Sequence, residues 1–314
     1  MLTIFLIILP IFLVMLVGYI ATRMGLLGQK SLSDMGRFVI NVALPAVIIK
    51  TVLHIDIQTM LNYRYLLAYL LCSLSLTIVG VIFYLKVFKL TRLDASVSVT
   101  GMVVPNSSFI GYPVILQLID NPPVNAFAMA LLVENIFVMP LCFLLMDYSS
   151  IDSQQTLKTK LKTLLLRIVK NPLLIAIVIS VIGNLLHVKI PKTINTTLDI
   201  LAPSAVAVAL FVIGGVLAGI RIRQANMKHI LAITFGKLIL HPLLAIIMLS
   251  LLLTGAHDLK LALVIITAMP MFSIYSVIGD IYGKQALCSS SQLVANALSV
   301  ITIPMMIALA EWAF

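Results

Sequence analysis

The sequence predicts an all-α integral membrane protein with ten transmembrane helices, and three observations support this prediction. Hydrophobic residues make up 61% of the 314 residues and charged residues only 10%, whereas soluble domains carry about 25% charged residues. Long apolar runs recur along the whole chain, and about 20 apolar residues are needed for a helix to cross the hydrocarbon core. Lysine and arginine concentrate in every second connection between those runs. We therefore expect the chain to lie in the lipid bilayer, with no room left for a soluble domain.

Ten apolar runs are long enough to cross a membrane. Helices are their expected structure, because lipid offers the backbone no hydrogen-bond partner. Their predicted bounds are 2–22, 32–54, 63–87, 95–118, 124–146, 167–187, 195–219, 229–253, 259–279 and 286–312, here called helices 1 to 10. The first run has no basic residue before Arg23, unlike a signal peptide, so we expect it to be retained as helix 1.

The distribution of positive charge predicts the orientation of these helices. If the N-terminus lies outside, 15 of the 21 lysines and arginines fall in cytoplasmic loops and four in outer loops. The positive-inside rule therefore predicts both termini on the outer, periplasmic side. The net charge of +10 is explained by this topology, and we expect no nucleic-acid binding.

The chain divides into two similar halves. We predict a first five-helix repeat over 1–146, a polar cytoplasmic linker over 147–163 and a second five-helix repeat over 164–314. Asn41-Val-Ala-Leu-Pro45 in helix 2 corresponds to Asp199-Ile-Leu-Ala-Pro203 in helix 7, and prolines recur in the same order in helices 1 and 6, 4 and 9, and 5 and 10. Because each half has an odd number of helices, the second is inverted. Inverted repeats are typical of secondary transporters.

Helices 4 and 9 carry helix-breaking residues near the middle of the membrane. Each break begins about 15 Å into its helix at 1.5 Å per residue, and unwound backbone at that depth must face protein or a polar cavity. Two breaks at matching depths predict a substrate site that binds anions at the exposed helix N-termini. The alternative is that the prolines only kink the helices. The residues at the two breaks are Pro105, Asn106, Ser107, Ser108, Pro270, Ser273 and Tyr275.

Polar and ionisable residues inside the helices are further candidates, because such groups are costly in lipid. Glu134, beside Asn135 in helix 5, is predicted to bind a coupling proton or sodium ion. The alternative is a neutral, hydrogen-bonded structural carboxyl. Asn41 is a candidate substrate contact. Lys237 and His241, one turn apart on helix 8, form either an inward basic spot for an anion or a lysine that snorkels to the headgroups.

The motifs of several other protein classes are absent from the sequence. It contains no GxxxxGK[ST] motif for nucleotide binding and no HExxH or GxSxG motif of hydrolases. The three cysteines lack the spacing of a metal site. We therefore predict a protein that is not an enzyme and has no cofactor or metal, with coupling to H⁺ or Na⁺ as the energy source.

Two segments resemble the auxin efflux carrier family, which includes plant auxin carriers and bacterial malate and malonate permeases. They are Pro105-Asn-Ser-Ser-Phe-Ile-Gly-Tyr-Pro113 in helix 4 and Asn41-Val-Ala-Leu-Pro45 in helix 2. The ten-helix layout is also similar, and the resemblance covers essentially the whole chain apart from the linker. Helix 9 departs from it, because it has Ser273 and Tyr275 but no asparagine after Pro270.

The resemblance implies a sodium/proton antiporter-like or bile-acid-transporter-like fold with crossing broken helices 4 and 9. It implies a transport domain of helices 3–5 and 8–10, a scaffold of helices 1, 2, 6 and 7, and a homodimer. The substrate would be a small organic anion such as malate, malonate or an auxin-like acid. The short linker implies a bacterial-type permease of the inner (plasma) membrane. We thus expect a secondary transporter that works by alternating access; the alternative is a cation/proton antiporter that uses Glu134.

Overall fold

The computed structural model describes residues 2–53, 61–119, 122–150, 162–163, 165–166, 168–188, 190–219 and 226–314, and the regular elements of that part are helical. In chain order the helices are α1 (Leu2–Arg23), α2 (Gln29–Val52), α3 (Tyr63–Lys86), α4 (Arg92–Val103), α5 (Ser107–Leu118), α6 (Val124–Ser149), α7 (Pro172–Leu185), α8 (Lys192–Gly219), α9 (Met227–Leu252), α10 (His257–Ala268), α11 (Tyr275–Ile281) and α12 (Gln285–Ala313).

Seven helices in the described part are long and apolar enough to cross a membrane, namely α1, α2, α3, α6, α8, α9 and α12. The other three predicted spans contain shorter helices: α4 and α5 lie in 95–118, α7 in 167–187, and α10 and α11 in 259–279. The all-helical membrane fold is therefore confirmed. The ten crossings and the inverted relation of the two halves stay predictions. Most of the predicted linker, residues 151–161, lies outside the described residues.

Side-chain caps determine where several helices begin. α7 begins five residues later than predicted because the side chain of Asn171 accepts the N–H groups of Leu173 and Leu174, with Pro172 at the first helical position. Asn62 caps α3 in the same manner. Such caps satisfy backbone donors that have no partner within the helix.

A five-residue π turn interrupts three helices in the described part of the chain and begins a fourth, α5, and a proline follows each turn by two residues. Proline has no N–H, and its ring clashes with the carbonyl four residues earlier. The wider π turn moves that carbonyl away, so the helix continues past the proline. The turns and their prolines are Val39–Ala43 with Pro45, Ser107–Gly111 with Pro113, Glu134–Val138 with Pro140, and Gly236–Leu240 with Pro242.

Pro105 and Pro270 instead end their helices. Val104 precedes Pro105 with φ −91° and ψ 111°, and Met269 precedes Pro270 with φ −64° and ψ 150°. A residue before proline is pushed out of the helical region into this extended region. The chain is therefore non-helical between α4 and α5 and between α10 and α11.

The helices pack in two groups. In the first group α8 contacts α1 and α2, and α2 contacts α7; α3, α4, α6, α9, α10, α11 and α12 form the other group, and α5 contacts helices of both. The closest approach in the first group joins α1 and α8 at Gly18 and Gly214. A Cβ atom on Gly214 would lie 1.7 Å from the Met15 carbonyl oxygen, and one on Gly18 would lie 2.1 Å from that of Phe211. Small residues permit such backbone contact between membrane helices.

We expect Gly214→Ala to lower the stability of the protein by about 1–3 kcal/mol, the usual range for overpacking. The new methyl group would collide with backbone atoms of α1, which cannot move aside as a flexible side chain could. The measurement is the thermal unfolding midpoint of the purified protein in detergent. Gly36→Ala is the matched control, because the atom nearest to its new methyl group, Val212 Cγ1, would lie at an ordinary contact distance of 3.8 Å. Equal midpoints for the two variants would contradict the prediction.

Candidate substrate site at the helix crossing

The two non-helical segments meet through their backbones. Pro105 and Met271 form an isolated antiparallel β-bridge. The N–H of Asn106 donates to the Pro270 carbonyl at 2.9 Å, and the N–H of Phe272 donates to the Val104 carbonyl at 3.3 Å. Backbone groups that the broken helices cannot pair internally are thus paired across the crossing, as burial requires.

Side-chain hydrogen bonds also join the two segments at the crossing. The amide of Asn106 donates to Ser273 Oγ at 3.1 Å. From α12, the amide of Gln292 donates to the carbonyls of Phe272 and Ser273 at 3.3 and 3.0 Å. Gln292 was not predicted as a site residue; the available signal was an uncharged amide within an apolar helix, which needs a partner when it is buried.

A cavity of about 300 Å³ adjoins the crossing. It combines hydroxyl and amide groups from four segments that are distant in sequence, with apolar walls from Ile40 and Phe109. Among its described lining residues, the one charged side chain is Glu134. Of the predicted site residues, it brings together Pro105, Asn106, Ser107, Ser108, Glu134, Asn135 and Ser273.

Glu134 lies at the start of the π turn in α6 and is 6% exposed. Its Oε1 atom accepts hydrogen bonds from Tyr69 Oη at 2.8 Å and from Ser107 Oγ at 2.5 Å. The carboxyl group therefore joins α3, α5 and α6 beside the cavity. Tyr69, which is fully buried, was missed by sequence reasoning because an aromatic residue in an apolar helix gives no sign of its hydroxyl partner.

Asn135, next in the chain, bridges α6 to the start of α7. Its amide donates to the Leu131 carbonyl at 2.9 Å, and its Oδ1 accepts from Asn171 at 2.8 Å. Asn171, which also caps α7, lines the cavity as well. The cavity thus borders both groups of helices.

Lys237 is buried within the protein, so the snorkelling interpretation is wrong for this residue. Its Nζ lies 2.7 Å from His241 Nδ1 and donates to the Thr267 carbonyl at 3.0 Å. Thr267 belongs to the last turn of α10, where the carbonyls lack helical partners and carry a partial negative charge. The lysine therefore places its amino group against the end of the broken helix, three residues before Pro270.

Three predicted site residues are absent from the described lining of the crossing cavity. Asn41 is exposed, and its amide donates to the Arg37 carbonyl at 2.7 Å. Pro270 contributes its carbonyl to the backbone crossing. Tyr275 is fully buried, and its hydroxyl donates to the Val97 carbonyl at 3.0 Å. A Cβ atom on Gly101 would lie 2.5 Å from that hydroxyl, so Tyr275 packs α11 against α4.

Sequence comparisons agree with this architecture. The family model described as membrane transport protein matches residues 3–307. The chain is 28% identical over 243 residues to an uncharacterized transporter, YfdV, of Escherichia coli, covering 75% of this chain and 74% of that protein. It is 24% identical over 302 residues to a protein of Rhizobium meliloti named "Putative malonate transporter", covering 94% and 92% of the two chains.

A mouse protein, the lysosomal cholesterol signaling protein, is 27% identical over 255 residues, which are 77% of this chain and 29% of the mouse protein. The family match extends over both broken helices and nearly the whole chain. It confirms the resemblance that the motifs of helices 2 and 4 indicated. The chain therefore belongs to the membrane transport protein family, the auxin efflux carrier family of its motifs, and is a multi-pass membrane transporter.

Proposed function

We propose that the protein is a secondary transporter that carries a small organic anion, such as malate, malonate or an auxin-like acid, across the bacterial inner membrane. The observation that carries this proposal is the cavity at the crossing of the two broken helices. It lies between the two groups of helices, where a relative movement of the groups would expose it alternately to each side. The similarity to the Rhizobium meliloti protein named "Putative malonate transporter" supports a carboxylate.

The lining of the cavity suits a carboxylate. Ser107 and Ser108 begin α5, and the first N–H groups of a helix have no partner within it and attract anions. The amides of Asn106 and Asn171 add further hydrogen-bonding groups from two other positions. Charged hydrogen bonds of this kind are stronger than neutral ones. The anion would thus be held by dipoles, without a basic side chain in the described lining.

Glu134 is the proposed coupling group. It is a buried carboxyl that borders the cavity and receives two hydroxyl hydrogen bonds. A proton bound there would offset the negative charge of the substrate and would move with it during the transport cycle. Lys237, buried on the α9 side of the crossing, is a second titratable side chain in this region.

Contacts near the membrane surfaces support the proposed ten crossings. Asp94 pairs with Lys284 at 2.6 Å, and the Tyr282 hydroxyl donates to Asp147 at 2.5 Å. All four residues fall on the cytoplasmic side in the predicted topology. A single wrong crossing would separate the partners by the membrane thickness. The proposed scaffold is the group α1, α2, α7 and α8, through which the protein would form a homodimer.

Uptake into proteoliposomes tests the proposal. Purified protein is reconstituted and offered radiolabelled malate, malonate or indole-3-acetate, with and without a proton or sodium gradient. We expect saturable transport of at least one acid that exceeds the rate in empty liposomes and responds to a proton gradient. Absence of uptake, export and exchange for a broad panel of organic anions would overturn the proposal.

The buried pair Glu134 and Lys237 also favours a second candidate, a cation/proton antiporter of related fold. Such a protein would release a proton from Glu134 when a cation binds on the opposite side of the membrane. A pH-sensitive dye inside the liposomes distinguishes the two functions. Proton movement driven by sodium without any carboxylate would support the antiporter, whereas proton movement that requires a carboxylate would support the anion transporter.

A further inference from the structure

A second, larger cavity of about 610 Å³ adjoins the crossing cavity. The two cavities share four lining residues, Ile40, Phe109, Ser273 and Ile274. These shared residues on α2, on α5 and on the segment before α11 place the two cavities side by side. We call the larger one the vestibule.

The vestibule extends to one end of the molecule. Its lining includes Gln29 at the start of α2, Gly219 at the end of α8 and Gln285 at the start of α12. In the predicted topology these three helix ends lie on the cytoplasmic side. The vestibule therefore lies between the crossing cavity and the predicted cytoplasmic side, on the path by which we expect an anion to reach that cavity.

Arg37 is the one charged side chain among the described residues that line the vestibule. It is three residues before Ile40, and so about 4.5 Å away along α2 at 1.5 Å per residue. Ile40 itself lines both cavities. Arg37 is thus one helical turn from a residue that both cavities share, on the part of α2 that lines the vestibule.

The surroundings of Arg37 leave it available to a ligand. Its side chain is 79% exposed, and its contact with Asp34, which is also exposed, is 4.0 Å long. An exposed ion pair at that distance contributes little free energy. Hydroxyl groups of Ser33, Ser276 and Ser289 line the same space, so a polar ligand would meet hydrogen-bonding groups along the path.

We propose that Arg37 binds the second carboxylate of a dicarboxylate whose first carboxylate lies at the helix crossing, and that it thereby selects dicarboxylates over monocarboxylates. This inference rests on the function proposed above. The crossing cavity offers one charged group among its described lining residues, the acid Glu134, and therefore no cation for a second carboxylate. The planar guanidinium of arginine matches a carboxylate with two parallel hydrogen bonds.

The test compares malonate with the monocarboxylate propionate in proteoliposomes that contain the wild type, Arg37→Gln, Arg37→Lys or Lys30→Gln. Lys30 is the matched control, because it is an exposed cation on α2 that is absent from the described lining of both cavities. For Arg37→Gln we expect the KM of malonate to rise about tenfold, as for loss of a solvent-exposed charged hydrogen bond. The KM of propionate should change less than about twofold, since propionate has no second carboxylate to lose a contact.

Arg37→Lys should give an intermediate KM for malonate, because lysine keeps the charge and loses the two-pronged geometry. If Arg37→Gln changed the KM of malonate and of propionate equally, or changed neither, the role of Arg37 would be overturned. Arg221 and Arg223 follow Gly219 in the sequence and lie outside the described residues, so the double variant Arg221→Gln/Arg223→Gln is measured alongside. If the double variant lost the preference for malonate while Arg37→Gln kept the wild-type KM values, the role of Arg37 would also be overturned.

The failure of this inference is distinguishable from that of the proposed function. A wild type that transports neither acid, nor any other organic anion, contradicts the proposed function itself. A wild type that transports both acids with similar KM contradicts only the selection by Arg37. Thermal unfolding midpoints within a few degrees of the wild type show that the variants are folded.

Discussion

Glu134→Gln is expected to abolish the response of transport to a proton gradient. Glutamine has nearly the shape of glutamate, and its carbonyl can still accept hydrogen bonds from Tyr69 and Ser107. It cannot take up or release a proton. We expect gradient-driven uptake to fall at least about tenfold, which corresponds to about 1.4 kcal/mol or more in activation free energy.

Counterflow distinguishes a coupling role from a structural one. In counterflow, unlabelled substrate inside the liposome exchanges for labelled substrate outside, and no net proton movement is needed. Glutamine resembles the protonated carboxyl, so we expect Glu134→Gln to retain exchange. Glu311→Gln, which changes an exposed carboxylate near the end of α12, is the control. Uptake by Glu134→Gln that still follows pH or sodium gradients as in the wild type would refute the coupling role.

Asn106→Ala is expected to weaken substrate binding by about tenfold to a hundredfold in KM. The amide lines the cavity and also donates to Ser273, so its removal loses a hydrogen bond to the anion and one across the crossing. Loss of a hydrogen bond to a charged group costs about 1.5–3 kcal/mol, and each 1.4 kcal/mol is a factor of ten. The measurements are the KM of uptake and the thermal shift produced by substrate.

Asn41→Ala provides the matched control for Asn106→Ala. Both asparagines were predicted as substrate contacts, and the structure places only Asn106 among the described residues of the cavity lining. Asn41 instead donates to a carbonyl of its own helix from an exposed position. We expect a KM within about twofold of the wild type, as for most surface substitutions. Similar losses for both variants would show that the cavity is not the binding site.

Several residues of the crossing could be singled out from their local sequence, although each left an alternative open. Pro105 and Pro270 are helix-breaking residues, and the structure shows that α4 and α10 end before them. Glu134 is an acid in the middle of an apolar run, which is costly unless it is used or paired. The partners of these residues could not be predicted. Tyr69 and Gln292 lie about 65 and 20 residues from the groups that they bind.

The sequence by itself determined that this protein is a helical membrane protein, because hydropathy depends on composition and lipid permits few backbone structures. It also determined where two helices break, since proline acts on its own and the preceding turn. Only the tertiary structure decided which polar groups share a cavity, that Lys237 is buried against α10, and that Tyr275 packs in the interior. These outcomes depend on contacts between helices that are distant in the chain, and no local pattern of residues encodes such distances.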